Sequence, residues 1–150
     1  MPLVRIDLPA GKAGSYRAAV VETVQTAMHN ALNVPMAEHF QIVTEHAPAG
    51  LSIDRTYLGI QRSPDAIVVQ ITLNEGRNVE TKTGFYKALA DGLHDRVGLQ
   101  RADVLINLVE VKRENWSFGD GEAQLISTEA SPPLVVESRP SPQPASGDHK

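Results

Sequence analysis

Shifted by 65 residues, the distance from Val4 to Val69, the chain lies on itself without a gap. Val4, Ile6 and Leu8 meet Val69, Ile71 and Leu73, and Gly11 meets Gly76. Lys12 meets Arg77, Val24 meets Leu89, Met28 meets Leu93, and His29 meets His94. Leu32 and Val34 meet Val97 and Leu99, Glu38 meets Asp103, and Glu45 meets Glu110. The period is longer than the roughly 20–50 residues of a solenoid repeat. It implies a duplicated and fused half-domain, so both halves must adopt one fold and share one core.

Each half reads strand, helix, strand. Val4, Ile6 and Leu8 alternate as in a half-buried strand, and Gly11 and Gly14 punctuate the turn after it. Between Ser15 and Asn33, Val21, Val24, Met28, Ala31 and Leu32 recur at helical spacing, and Pro35 stops the helix. Phe40 to Glu45 is the second strand. The second half repeats the pattern: a strand over Ala66–Leu73, a helix over Val79–Val97 and a strand over Val104–Val111. Asn78 is its expected N-cap, and Phe85, Leu89, Leu93 and Val97 form its apolar stripe. A helix joining two strands favours parallel pairing with a right-handed crossover. The expected fold is therefore α/β (α+β): β-α-β units over about 2–46 and 66–111 form a four-stranded sheet with two helices on one face. The bare sheet face would be covered by trimerisation around a central barrel.

Half of the ten prolines lie in the last 24 residues, Ser127 to Lys150. That composition cannot bury enough apolar surface to offset the entropy of ordering. The expected organisation is a domain over residues 1–126 and a disordered tail over 127–150, with Leu134-Val135-Val136 its one plausible docking point.

Pro2 breaks the symmetry of the repeat, because its counterpart is Ile67, an ordinary internal residue. Removal of Met1 would leave Pro2 with a free secondary amine. A free α-amino group titrates near pH 8, and burial or a nearby cation lowers that towards the range of a general base. Only the first half can offer such an amine, so one site per chain is expected.

The remaining composition narrows the function classes. The net charge is −4, which gives no electrostatic footprint for nucleic acid. There is no cysteine, which excludes disulfides, thiolate nucleophiles and cysteine-ligated zinc. No apolar run approaches the roughly 18 residues of a membrane-crossing helix, and no signal-peptide pattern opens the chain, so a cytoplasmic protein away from membranes is expected. His29 and His94 read as helix-flank residues with a structural or surface role, and no His/Asp/Glu cluster has metal-ligand spacing. There is no nucleophile elbow, dinucleotide fingerprint or P-loop.

Several short segments resemble a known family. They are Pro2-Leu3, Asn33-Val34-Pro35, Leu58-Gly59 with Arg62-Ser63, Phe85-Tyr86-Lys87, and Trp116-Ser117-Phe118-Gly119 followed by Asp120-Gly121. With the Met-Pro start and the duplicated β-α-β unit, they resemble the tautomerase superfamily over residues 1–126, nearest to the branch of malonate semialdehyde decarboxylase. The resemblance implies homotrimers, an amino-terminal proline in an apolar pocket, an arginine on the substrate carboxylate, and neither metal nor organic cofactor. Pro2 matches the catalytic proline, and Glu38 falls where the decarboxylase has an aspartate that orients or activates water. Arg77 matches the second of two arginines. Glu75 stands where the decarboxylase has the other arginine, which weakens the case for decarboxylation. Phe118 matches an aromatic pocket wall, and Leu125 replaces another.

Each candidate also has a plain structural reading. Arg77 follows Gly76 in a loop, where its guanidinium can fork onto a carboxylate or be solvated. As a loop cation aimed at a pocket it would contribute little to packing. Glu38 can hold a water or polarise Pro2, or serve as a turn carboxylate. Trp116 and Phe118 can line a pocket or plug a trimer interface. Lys12 and Arg62 are the next anion-binding candidates after Arg77. The expected function is a cofactor-independent keto–enol tautomerase of small 2-oxo or 2-hydroxydienoic acids. A decarboxylase or hydratase of a 3-oxo acid is the second reading, and a non-catalytic trimeric scaffold is the third.

Overall fold

A computed structural model describes residues 1–127; the expected tail beyond them, Leu134-Val135-Val136 included, lies outside the described residues. The described chain divides into two units, Met1–Lys112 and a second beginning at Arg113.

In the first unit, β1 (Leu3–Pro9), α1 (Gly14–Leu32) and β2 (Gln41–His46) form one half. The other half is β3 (Ile67–Asn74), α2 (Val79–Val97) and β4 (Val104–Val111). Every element falls within one residue of its expected bounds. The sheet order is β2-β1-β3-β4. β1 runs parallel to β2 and β3 parallel to β4, while β1 and β3 are antiparallel at the centre. In that central ladder Arg5 pairs with Gln70, its own counterpart in the repeat. A local twofold axis therefore passes through the middle of the sheet.

The strands' even periodicity sorts their side chains by face. Val4, Ile6 and Leu8 of β1 and Ile67, Val69, Ile71 and Leu73 of β3 are buried beneath the helices. Helix α1 adds Val20, Val24, Ala27, Met28 and Leu32, and α2 adds Phe85, Leu89 and Leu93. Each fully buried side chain of this kind stabilises the fold by about 1.5–3 kcal/mol. Val21 and Ala31, expected in the α1 stripe, only flank this core, and Val20 and Ala27 take their places. Gly92 lets the helices approach closely: a Cβ there would lie 3.0 Å from Thr23 Cγ2.

The repeat extends to hydrogen bonds. His29 Nδ1 lies 2.8 Å from the Val34 carbonyl and His94 Nδ1 2.9 Å from the Leu99 carbonyl, each closing the turn after its helix. Asn33 and Gly98 end the two helices in the left-handed conformation, at φ 62° and 72°. The ion pair Arg17–Glu45 recurs as Lys82–Glu110. The start of α2 is capped as expected, with Thr81 N–H donating to Asn78 Oδ1 at 2.8 Å.

The other face of the sheet is less covered. Ile42, Leu105 and Val109 are exposed there, and Gln70 donates to Asn107 Oδ1 at 3.0 Å. In the second unit, Trp116 and Phe118 stack with ring centroids 5.2 Å apart. Phe118 N–H donates to Gln124 Oε1 at 2.9 Å, which ties the aromatic turn to α3 (Gln124–Ser127), the short helix that carries Leu125.

Candidate active site

The site follows from the strand register at one end of the sheet. Leu3 pairs with Thr72, so the antiparallel ladder carried outward brings Pro2 beside Leu73 and Met1 beside Asn74. Pro2 is buried. Arg77 lies three residues past Asn74, across the turn at Gly76, whose φ of 126° favours glycine. On the other side of β1, Val4 N–H donates to the Phe40 carbonyl at 2.9 Å, which sets the start of β2 against the same end. Glu38 lies two residues before Phe40. The fold thus brings Pro2, Glu38 and Arg77 to one end of the sheet.

Two of these residues are held in ways the sequence does not announce. Arg77 Nη2 donates to the Leu32 carbonyl at 2.9 Å, and Nη1 reaches the Asn74 carbonyl at 3.5 Å. Leu32 closes α1, so Arg77 caps that helix end, where a cation also complements the helix dipole. Arg77 is therefore not the loop cation without structural role that its context suggested. A guanidinium has five N–H donors, and those not on carbonyls remain for a ligand.

Glu38 is placed by Gln25, which is 2% exposed. Gln25 Nε2 donates to the Glu38 carbonyl at 2.9 Å and reaches the carbonyls of Pro35 and Met36 at 3.3 and 3.4 Å. Its Oε1 accepts from Gln41 Nε2 at 3.2 Å. A polar residue at position 25 lies one turn from Val21 and Met28, on the buried side of α1. That misplaced polarity was the signal available in the sequence. Glu110, at the end of β4, completes the electrostatics. Its carboxyl is held below the usual carboxylate range by Lys82 first, then by the Gly76 N–H and Arg77.

The other cation candidates lie elsewhere. Lys12 follows β1 at the far end of the sheet, where its ammonium is 3.1 Å from Asp65 Oδ1. Arg62 Nη1 binds the carbonyls of Asp54 and Tyr57 at 3.2 and 3.3 Å, within the segment that joins the two halves. Lys12 therefore lies away from Pro2 within the chain, and Arg62 is held within the joining segment. Glu75 is exposed, and its N–H extends the β3–β4 ladder to the Val111 carbonyl at 3.0 Å. Trp116, Phe118 and Leu125 belong to the second unit. Among the described residues no group of three or more His, Asp or Glu is arranged to hold a metal ion, and no helix is long and apolar enough to cross a membrane.

Comparison with known proteins is consistent across sequence and structure. Two family models, both described as tautomerase enzyme, match residues 2–59 and 38–119. The probable tautomerase YusQ of Bacillus subtilis (strain 168) is 32% identical over 84% of this chain and 99% of its own. The probable tautomerase YrdN of the same organism is 34% identical over 85% of this chain and 98% of its own. Among solved structures, FG41 malonate semialdehyde decarboxylase inhibited by 3-bromopropiolate superposes with a TM-score of 0.79. It is 34% identical and covers 87% of this chain and 99% of that one. A fused 4-OT, a symmetric trimer, has a TM-score of 0.68 at 21% identity, covers 83% of this chain and 98% of that one, and shares the fold.

Proposed function

Since the chain belongs to the tautomerase superfamily, on the branch of malonate semialdehyde decarboxylase, we propose that it is a cofactor-independent keto–enol tautomerase of small 2-oxo or 2-hydroxydienoic acids. The observation that carries this reading is the placement of Pro2, Glu38 and Arg77 at one end of the sheet. Pro2 nitrogen takes a proton from the enol hydroxyl, or from the carbon beside the carbonyl, and returns it at the other position. Arg77 forks onto the substrate carboxylate and stabilises charge developing on the dienolate. The burial of Pro2 keeps water from the amine, and Glu38 orients the amine or a water. Turnover of phenylenolpyruvate and 2-hydroxymuconate, measured on protein whose mass shows a Pro2 start, tests the reading. No turnover of either would overturn it.

The second reading, a decarboxylase or hydratase of a 3-oxo acid, is supported by the structural match to malonate semialdehyde decarboxylase. In it Pro2 works as a protonated cation and Glu38 directs water. Glu75, a carboxylate where the family resemblance implies an arginine for decarboxylation, favours the tautomerase.

The assembly we propose is a homotrimer. Exposed Ile42, Leu105 and Val109 on the uncovered sheet face support it. Sedimentation is expected to give three times the mass of the 16.2 kDa chain. A stable monomer at micromolar concentration would contradict it.

A further inference from the structure

We propose that the end of the sheet opposite Pro2 holds a second, non-catalytic site for a small monocarboxylate with an apolar body. A cavity of about 300 Å³ lies there, lined among others by Pro9, Ala10, His46, Leu51, Arg55 and Asp65. That volume is at the lower end of ligand pockets, which are mostly apolar with a few polar groups to fix orientation. Its outer wall comes from the segment joining the two halves, residues 47–66, whose only helical structure is a pair of 3-10 turns at Pro48–Gly50 and Tyr57–Gly59. Connections this long are uncommon in a small domain and usually carry function.

The repeat relates this cavity to the Pro2 end. Ala66 of its wall is the counterpart of Met1, and Asp65 and Ala66 precede β3 as the amino terminus precedes β1. The frame is the same, but each group needed for proton transfer is missing or occupied. Ile67 replaces Pro2, and its nitrogen is an amide. Asp103, the counterpart of Glu38, is 2% exposed and accepts from Ser63 N–H at 2.7 Å and Ser63 Oγ–H at 2.5 Å. The site can therefore bind a ligand without turning it over.

The charges identify the ligand. His46 Nε2 lies 2.6 Å from Asp7 Oδ1, and Asp65 is balanced by Lys12. Arg17 is engaged with the Lys12 carbonyl and Glu45. The Arg55 guanidinium, by contrast, has no hydrogen-bond or ion-pair partner among the described residues, though its carbonyl accepts from Arg62 N–H. An apolar hollow with one uncommitted guanidinium suits a single carboxylate on a short hydrocarbon body.

The test uses the full ¹⁵N-labelled chain titrated with hexanoate, and with 1-hexanol as the neutral match. Hexanoate is expected to give saturable shifts in the amides of residues 46–55 and 63–66. Arg55→Ala should weaken that binding by at least about tenfold and Arg55→Lys by less, since a point charge replaces only part of the fork. Arg77→Ala should leave it unchanged, which separates this site from the Pro2 end. Arg55 is exposed, so the variant is expected to fold, and an unchanged spectrum elsewhere checks this. The proposal is overturned if hexanoate shifts nothing in this cluster, as when a second copy of the chain fills the cavity. Equal binding of hexanol, or an unaltered affinity in Arg55→Ala, also overturns it.

Discussion

Protein that retains Met1 is expected to lose about 10³-fold in kcat/KM on a 2-hydroxydienoic acid. That figure is the middle of the range for a positioned general acid–base. Retention turns the Pro2 nitrogen from a secondary amine into an amide, which has no basic lone pair at neutral pH. The fold should hardly notice, because β1 begins at Leu3 and its ladder to β3 does not use the Pro2 nitrogen. Intact-mass analysis beside steady-state kinetics and thermal melting measures all three quantities on one sample. Full activity with Met1 present would remove the proline from the mechanism.

Arg77→Ala is expected to lower kcat/KM by about 10²-fold or more. A charge-assisted, forked contact contributes about 1.5–3 kcal/mol, and stabilisation of the developing charge adds to it. Uncharged ketones should be nearly indifferent to the change. The variant should also lose about 1 kcal/mol of stability, because the Leu32 carbonyl loses its donor. Arg77→Lys should restore part of each, since an ammonium can reach one acceptor but cannot fork. Equal turnover of a carboxylate substrate by Arg77→Ala and wild type would place the anion site elsewhere. Lys12 and Arg62 would then be the next candidates.

What was legible in the sequence was what the chain encodes locally. Alternation in Val4-Arg5-Ile6 and the spacing of Phe85, Leu89 and Leu93 fix the strand and the helix stripe within a few residues of chain. The 65-residue self-match, from Val4 to Val69, fixed the rest by showing each half twice. What was not legible depends on residues far apart in sequence. Arg77 meets Leu32 across 45 positions, and Ser63 meets Asp103 across 40. No periodicity records such pairs. Gln25 is the intermediate case: its position on the buried side of α1 is visible, but not the three carbonyls it collects. The cavity beside Arg55 was hidden for another reason. Its wall is irregular chain, and pattern reading has nothing to grip between residues 47 and 66.

The protonation state of the Pro2 nitrogen separates the readings most directly. It can be followed by ¹⁵N chemical shift in protein labelled at proline, with the Met1-retaining form identifying the signal by its absence. A tautomerase that uses this amine as its base requires a titration below neutral pH, lowered from the usual value near 8 by burial and by the nearby Arg77 cation. The expected result is one proline nitrogen that titrates below pH 7, in step with the acidic limb of kcat/KM. A Pro2 nitrogen that stays protonated through pH 8, with activity unchanged across that interval, contradicts the general-base role and favours the cationic proline of the decarboxylase reading.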